Sequence, residues 1–288
     1  MLEDGPGQSA NYLVTGTWSQ GAIAEGKKYC TANVVADNKG TGYTTVADPS
    51  EWNIDPNAKF FHYCDNETIQ GFEFSDQFPF DKVPAGQTLV CDMSSNFLTQ
   101  PIDWSKYGVV YAGAQKNVGP AGVTFVIARN DLFATHRSDT PLLCDWLTFS
   151  KAANTFMNTP SCWPIYVCGL NLAYMIEQGG IPALQAKAAE RSSLLYNYID
   201  NSDGYYVNNV EARYRSRTNI PFRICNNEEL ESKFVKNARE VDLTDLSGHR
   251  SVGGCRASLY NAMPVEGVHA LIAFMEKFKA ENPRPAAE

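Results

Sequence analysis

Short apolar runs ending in polar or glycine-rich turns recur through the first half of the chain, at residues 32–36, 60–64, 88–91, 109–112 and 123–128. Each has the length of a buried strand, and most lack the period-two alternation of a half-exposed one. The pattern predicts strands covered on both faces, as in a parallel sheet. Helical patterns lie between or after them. Residues 19–29 follow Thr17 as a cap, 164–178 stop at Gly179-Gly180, and 182–200 begin with a proline in the first turn. Past residue 185 the texture changes. Short strands at 205–207 and 220–224 are followed by helical patterns at 228–240 and 264–279. This predicts a large domain over 1–184 and a smaller α+β domain over 185–288. The tail, AENPRPAAE, is expected to fray. The chain carries no internal repeat and no low-complexity segment.

The length of 288 residues agrees with about two domains and is ample for a large core. With 44% hydrophobic and 19% charged residues, the composition is that of a soluble globular protein. Twenty-four Lys and Arg against 32 Asp and Glu give a formal net charge of −8. That balance argues against a general nucleic-acid or anionic-membrane binder, while leaving room for a local cationic pocket. No apolar run is long enough to span a bilayer, and the start lacks the basic and apolar regions of a secretory signal. The eight cysteines are scattered, without a CxxC pair or zinc-type spacing, so no metal site is expected. Free thiols in a reducing cytoplasm are the expectation. Asn66-Glu67-Thr68 matches a glycosylation acceptor, but without a secretory signal it carries little weight.

Candidate chemistry centres on residues 111–119, YAGAQKNVG. Lys116 follows an apolar run among small residues. Desolvation there would lower its pKa from the reference of ~10.4 and supply the neutral amine that forms an imine with a carbonyl. On local chemistry alone, a solvated lysine in a βα loop is the commoner case. In an open α/β sheet, ligands bind at the carboxyl ends of the strands. If the strands are parallel neighbours, Thr68, Asp92 and Lys116 crowd one rim. An acid and an amine so placed fit a pyridoxal-phosphate site, the carboxylate keeping the pyridinium protonated. Asp92 is equally readable as a cap before Met93-Ser94-Ser95. His249, Arg250 and Arg256 surround a Gly-Gly turn and offer bidentate anion recognition, although solvated arginines are commoner. Trp18, beside Gly16, either stacks on a flat ring or packs. A P-loop-like run at Gly21–Lys28 lacks the Ser/Thr, and the glycine turn at residues 40–42 lacks a third glycine.

Taken together, these segments resemble the phosphoserine aminotransferases, fold-type I pyridoxal-phosphate enzymes of the class-V aminotransferase family. The stretches carrying the resemblance are YLVTGTWSQGAIAEGKKY, YCDNETIQGFEF, VCDMSSNFLTQPID, YAGAQKNVGPAGVTFVI, NTPSCWPIYVCGL, NIPFRI and GHRSVGGCRASLYNAMPVEGV. They occur in the family's order and span nearly the whole chain. The resemblance implies an α/β fold with a mostly parallel sheet and a smaller C-terminal domain.

It also implies roles. Lys116 is similar to the imine-forming lysine, with Gln115 beside it near the cofactor phosphate. Asp92 matches the partner of the pyridine nitrogen, Trp18 the stacking tryptophan, and Thr68 the partner of the ring hydroxyl. Asn158 and Thr159 match residues that reach the phosphate from the other subunit of a homodimer with shared sites. His249, Arg250 and Arg256 match the cationic group that binds substrate phosphate and carboxylate. The implied activity is reversible amino transfer between L-glutamate with 3-phosphohydroxypyruvate and 2-oxoglutarate with O-phospho-L-serine, in serine biosynthesis. The resemblance departs at the front, where family members carry roughly eighty further residues. Those supply a glycine-containing phosphate loop and substrate-binding cations, none of which MLEDGPGQSANY resembles. The alternative expectation is therefore a truncated, catalytically impaired relative that keeps the fold and acts only as a dimer partner or not at all.

Overall fold

The computed structural model describes residues 1–5, 7–134, 136–152 and 156–285. Six strands form the main sheet: β1 (Ser9–Val14), β2 (Thr31–Asp37), β3 (Phe60–Cys64), β6 (Thr88–Asp92), β7 (Val109–Gly113) and β8 (Thr124–Ala128). Their spatial order is β2-β1-β3-β6-β7-β8. All neighbouring pairs are parallel except β7 with β8, which is antiparallel. The five predicted strands are all present, but the expected cover on both faces is corrected for the edge strands β2 and β8, most of whose residues are exposed or half-buried. Every residue of β3 is buried, as expected for a strand without alternation. The sixth strand, β1, was not predicted, because its sequence opens Ser-Ala-Asn. Its Asn11 is buried and bonded: Nδ2 donates to the Asp55 carbonyl at 2.9 Å and to Gln87 Oε1 at 3.0 Å. A satisfied polar group thus occupies a core position.

After β3 the chain turns through a short hairpin, β4 (Asn66–Glu67) and β5 (Phe72–Glu73). Gly71 in its turn has φ +73°, and a Cβ there would meet Pro221 Cδ at 2.2 Å, so the position requires glycine. Helix α1 (Thr17–Gly26) lies between β1 and β2, and α2 (Trp146–Lys151) and α3 (Cys162–Glu177) follow β8. Thr17 is the first residue of α1 and not its cap. Gly16 holds the cap position, and the side chain that receives the helix N–H groups comes from β4.

The C-terminal region has a three-stranded antiparallel sheet, ordered β11 (Cys255–Ser258), β10 (Asn219–Ile224), β9 (Tyr206–Val207). It packs with α4 (Gly180–Asp200), α5 (Glu228–Arg239) and α6 (Val265–Glu281) around Tyr206, Phe222, Phe234 and Phe278. A second cluster, containing Leu13, Phe61, Tyr63, Phe72, Phe74 and Val110, fills one side of the main sheet. There Tyr63 and Phe78 stack with ring centroids 3.9 Å apart. Helix α4 runs unbroken across residues 184–185. β11 lies within the segment read only as a cationic cluster.

The two regions interlock through polar bonds. Arg217 Nη2 donates to Glu73 Oε1 at 2.9 Å, and Asn66 Nδ2 donates to Asn219 Oδ1 at 2.9 Å. The expected fraying of the tail is corrected for residues up to 284. Asn282 is buried, its carbonyl accepts from the Tyr205 hydroxyl at 2.6 Å, and Arg284 donates to the Asp203 carbonyl at 2.7 Å. Residues 286–288 lie outside the described residues. No helix among the described residues is long and apolar enough to cross a membrane. All eight cysteines are free.

Candidate active site

Parallel pairing of β3, β6 and β7 brings their carboxyl ends to one rim, with Cys64 opposite Asp92 and Asp92 opposite Tyr111. Lys116 projects from the turn after β7. Its amine lies 5.4 Å from the centroid of the Trp18 indole and pairs with no carboxylate among the described residues. Burial lowers its pKa from the usual lysine value; Asp92, Cys64 and Glu67 oppose that shift, and Arg256 adds to it. The lysine is therefore held partly desolvated, and the solvated alternative does not describe it.

Trp18 sits in the first turn of α1. Its Nε1 donates to Thr68 Oγ1 at 2.7 Å, and the residue is 47% exposed, which leaves room for a planar partner. Thr68 is buried, and its carbonyl accepts from Arg256 Nη1 at 3.2 Å. Arg256 lies on β11, and its buried Nε has no partner. Four elements thus converge: the turn after β7, α1, the β4–β5 hairpin and β11.

Asp92 ends β6. Its Oδ1 accepts the Ser94 backbone N–H at 2.8 Å, a local turn with no helix following. The capping alternative is met in part, by one oxygen in a turn. Behind Asp92, His62 Nε2 lies 2.9 Å from the Tyr111 hydroxyl. Burial holds His62 down to about 4, with the Asp92 charge acting against it, so the imidazole is neutral near pH 7. Burial, with Asp92 next, pushes the Tyr111 phenol up. The stack of imidazole and phenol thus presents Asp92 with neutral neighbours.

Lys116, Trp18, Thr68, Asp92 and Arg256 are brought together. Gln115 is adjacent in sequence but exposed. His249 and Arg250 are not part of the cluster. They lie in the loop before β11, where His249 Nδ1 is 2.7 Å from Ser251 Oγ, and they line a depression beside α5 with Glu228 and Glu231. Asn158 and Thr159 are exposed ahead of α3. Two further residues at the site were not anticipated from the sequence, His62 and Glu67. Glu67 is fully buried, accepts the Trp18 N–H at 2.8 Å and the Ser19 N–H at 2.9 Å, and receives the Ser19 hydroxyl at 2.6 Å. It lies beside Thr68 in the segment already singled out, but its role appears only when α1 is folded onto it. A Cβ on Gly16 would lie 2.5 Å from this carboxylate, so glycine is needed there for close approach.

The family described as Aminotransferase class-V matches residues 3–271. Phosphoserine aminotransferase 1, chloroplastic, of Arabidopsis thaliana is 46% identical over 274 residues, covering 95% of this chain and 62% of the relative. The probable phosphoserine aminotransferase of Dictyostelium discoideum is 42% identical, covering 98% of this chain and 75% of the relative. Among solved structures, the phosphoserine aminotransferase from Bacillus circulans subsp. alkalophilus superposes with a TM-score of 0.91 at 41% identity, over 96% of this chain and 74% of that one. The enzyme from Trichomonas vaginalis, solved with pyridoxal phosphate bound, gives 0.87 at 38% identity, over 94% and 76%. The chain thus spans about three fifths of the length of the Arabidopsis relative.

Proposed function

Because this chain belongs to the class-V aminotransferase family, with the fold of its fold-type I members, we propose that it is a pyridoxal-phosphate-dependent phosphoserine transaminase. The proposed reaction passes the amino group reversibly between L-glutamate with 3-phosphohydroxypyruvate and 2-oxoglutarate with O-phospho-L-serine. The observation that carries this reading is the Lys116 amine, desolvated, free of any ion pair among the described residues and 5.4 Å from an exposed indole face.

The residues fit the cofactor. The ring would lie against Trp18, its hydroxyl near Thr68, its pyridine nitrogen at Asp92, and its aldehyde on Lys116. When bound, it supplies an electron sink for the pair left at the substrate's Cα. Freed when the substrate's amino group takes its place, the Lys116 amine, its pKa lowered by burial, would accept the proton from Cα and hold it for return. Asp92 would face the ring's pyridine nitrogen, with neutral His62 and Tyr111 behind it. Arg256, held by the Thr68 carbonyl at its Nη1, would supply the positive charge for the substrate's carboxylate or phosphate. In this proposal His249 and Arg250, in the loop before β11, serve the site of a second subunit, and Asn158 and Thr159 reach a partner's cofactor phosphate beside Gln115.

A homodimer with shared sites is part of the reading. It is supported by Trp163, Tyr166 and Leu170, which leave one apolar stripe of α3 exposed at 71%, 59% and 53%. Residues 1–184 and 185–288 are proposed as the large and small domains, α4 bridging them. A reducing, cytoplasmic setting fits the eight unpaired thiols.

The test is to add pyridoxal phosphate, record the spectrum, reduce with borohydride and map the modified peptide, then assay glutamate formation from phosphoserine and 2-oxoglutarate. Label on Lys116 with turnover supports the proposal. Label scattered over surface lysines, with no turnover, refutes it for this chain.

A further inference from the structure

One buried amide ties together the segments that carry Lys116, Asp92 and Arg256. Asn117 follows Lys116 in the turn after β7 and is 4% exposed. Its Nδ2 donates to the Ser95 carbonyl at 3.2 Å, and its Oδ1 accepts the Asn261 N–H at 3.0 Å. Ser95 stands in the turn that follows Asp92, and Asn261 follows the strand that carries Arg256. Asn261 extends the linkage, its Nδ2 donating to the Leu98 carbonyl at 3.1 Å. From another side, Asn171 of α3 donates to the Asn117 carbonyl at 3.2 Å and to the Val118 carbonyl at 2.8 Å.

The three functional positions are not equally supported. Asp92 is paired in the sheet on both sides and accepts the Ser94 N–H. Arg256 is paired opposite Pro221 and donates to the Thr68 carbonyl. Lys116 lies beyond the end of β7. Its turn closes on itself, the Val118 and Gly119 N–H groups donating to the Ala114 carbonyl at 3.0 and 2.8 Å. Those bonds shape the turn without placing it against Asp92 or Arg256. The Asn117 amide does both, because one planar head offers a carbonyl to an N–H and an NH2 to a carbonyl. Its burial makes the loss of either bond costly.

We infer that Asn117, backed by Asn171, is a positioning residue that holds the Lys116 turn in register with Asp92 and Arg256. It acts through Lys116. Its catalytic meaning rests on the transaminase reading above, where a shift of about 1 Å in a reacting group costs on the order of a hundredfold in rate.

The test compares wild type with Asn117→Ala, Asn171→Ala and a control, Asn11→Ala. Asn11 is a buried asparagine on β1 bonded to Gln87, which precedes β6 at the end of the sheet opposite the Lys116 turn, so its loss reports destabilisation alone. Competitive labelling with trace acetic anhydride across pH, on cofactor-free protein held below each melting transition, gives the Lys116 half-point. In wild type and Asn11→Ala it should lie below that of the surface lysines. In Asn117→Ala it should climb toward theirs, as the released turn lets water reach the amine, and in Asn171→Ala it should move less in the same direction. With cofactor, phosphoserine and 2-oxoglutarate, Asn117→Ala should lower kcat by about tenfold to a hundredfold with KM nearly unchanged, because Arg256 keeps its own supports. An unchanged half-point in folded Asn117→Ala overturns the inference. So does an equal rise in Asn11→Ala, or a wild-type Lys116 that already titrates with the surface lysines. If Asn117→Ala does not fold, the absence of any shift in Asn171→Ala overturns it. If wild type shows no turnover, the transaminase reading fails, while the labelling still decides whether Asn117 places the lysine.

Discussion

The Glu67 carboxylate receives the backbone N–H of Trp18 at 2.8 Å. One buried acid therefore fixes both the start of α1 and the indole that faces Lys116. It satisfies a second helix N–H at Ser19 and takes the Ser19 hydroxyl, so its charge meets the positive end of the helix. Glu67→Ala leaves these donors buried and unpaired. We expect a loss of about 3 kcal/mol in urea unfolding, with weaker pyridoxal-phosphate retention because Trp18 is released. Glu67→Gln keeps an acceptor and should lose less. Equal stability of Glu67→Ala and wild type would show that α1 does not rely on this contact.

Asp65 predicts a pH dependence. It shares the Asn96 amide with Glu73, accepting at 2.6 Å where Glu73 accepts at 3.1 Å. Burial first, and the Glu73 charge second, push Asp65 up to about 7. The folded state thus holds a proton that the unfolded chain has released, and stability falls as pH rises from about 4 toward 7. His62 works in the opposite sense, losing stability as pH falls from about 6.5 toward 4, so the wild-type profile alone does not isolate Asp65. Asp65→Asn does. At pH 8 it should be more stable than wild type by about 2–4 kcal/mol, the gain vanishing near pH 4. A difference that does not vary with pH would refute the assignment.

How much of this was legible depended on the range of the contacts involved. The rim of Thr68, Asp92 and Lys116 follows from local signals, an apolar run meeting a polar residue three times over, because parallel strands align their ends. Glu67 stayed hidden because its partner Ser19 lies 48 residues earlier, and nothing near Glu67 announces that helix. β1 escaped notice because buried Asn11 reads as a loop residue until Asp55 and Gln87 satisfy it. The Arg250–Arg256 pair looked like one cluster along the chain. Folding separates them, since β11 pairs Arg256 opposite Pro221 while Arg250 stays in the preceding loop.

Arg256 should act on substrate and not on cofactor. Its Nη1 is already engaged by the Thr68 carbonyl, which fixes the guanidinium beside Thr68 and Trp18. Arg256→Ala is expected to raise KM for phosphoserine by at least about tenfold, the worth of a charge-assisted pair. Pyridoxal-phosphate content should stay unchanged. Arg256→Lys should recover only part, because an ammonium lacks the planar fork. An unchanged KM in Arg256→Ala would remove it from the substrate site.

The state of Lys116 can be measured without any cofactor. Burial disfavours its ammonium form, and the carboxylates that would restore it, Asp92 and Glu67, are engaged by Ser94 and by the start of α1. Competitive labelling with trace acetic anhydride across pH, read by mass spectrometry, gives the titration of each lysine. The half-point for Lys116 should fall below that of exposed Lys28, whose pairing with Glu25 raises it. In Trp18→Ala, water reaches the amine more freely and the half-point should climb toward the ordinary lysine value. If Lys116 titrates with the surface lysines in both proteins, desolvation does not prepare it, and its reactivity would have to arise after the cofactor binds.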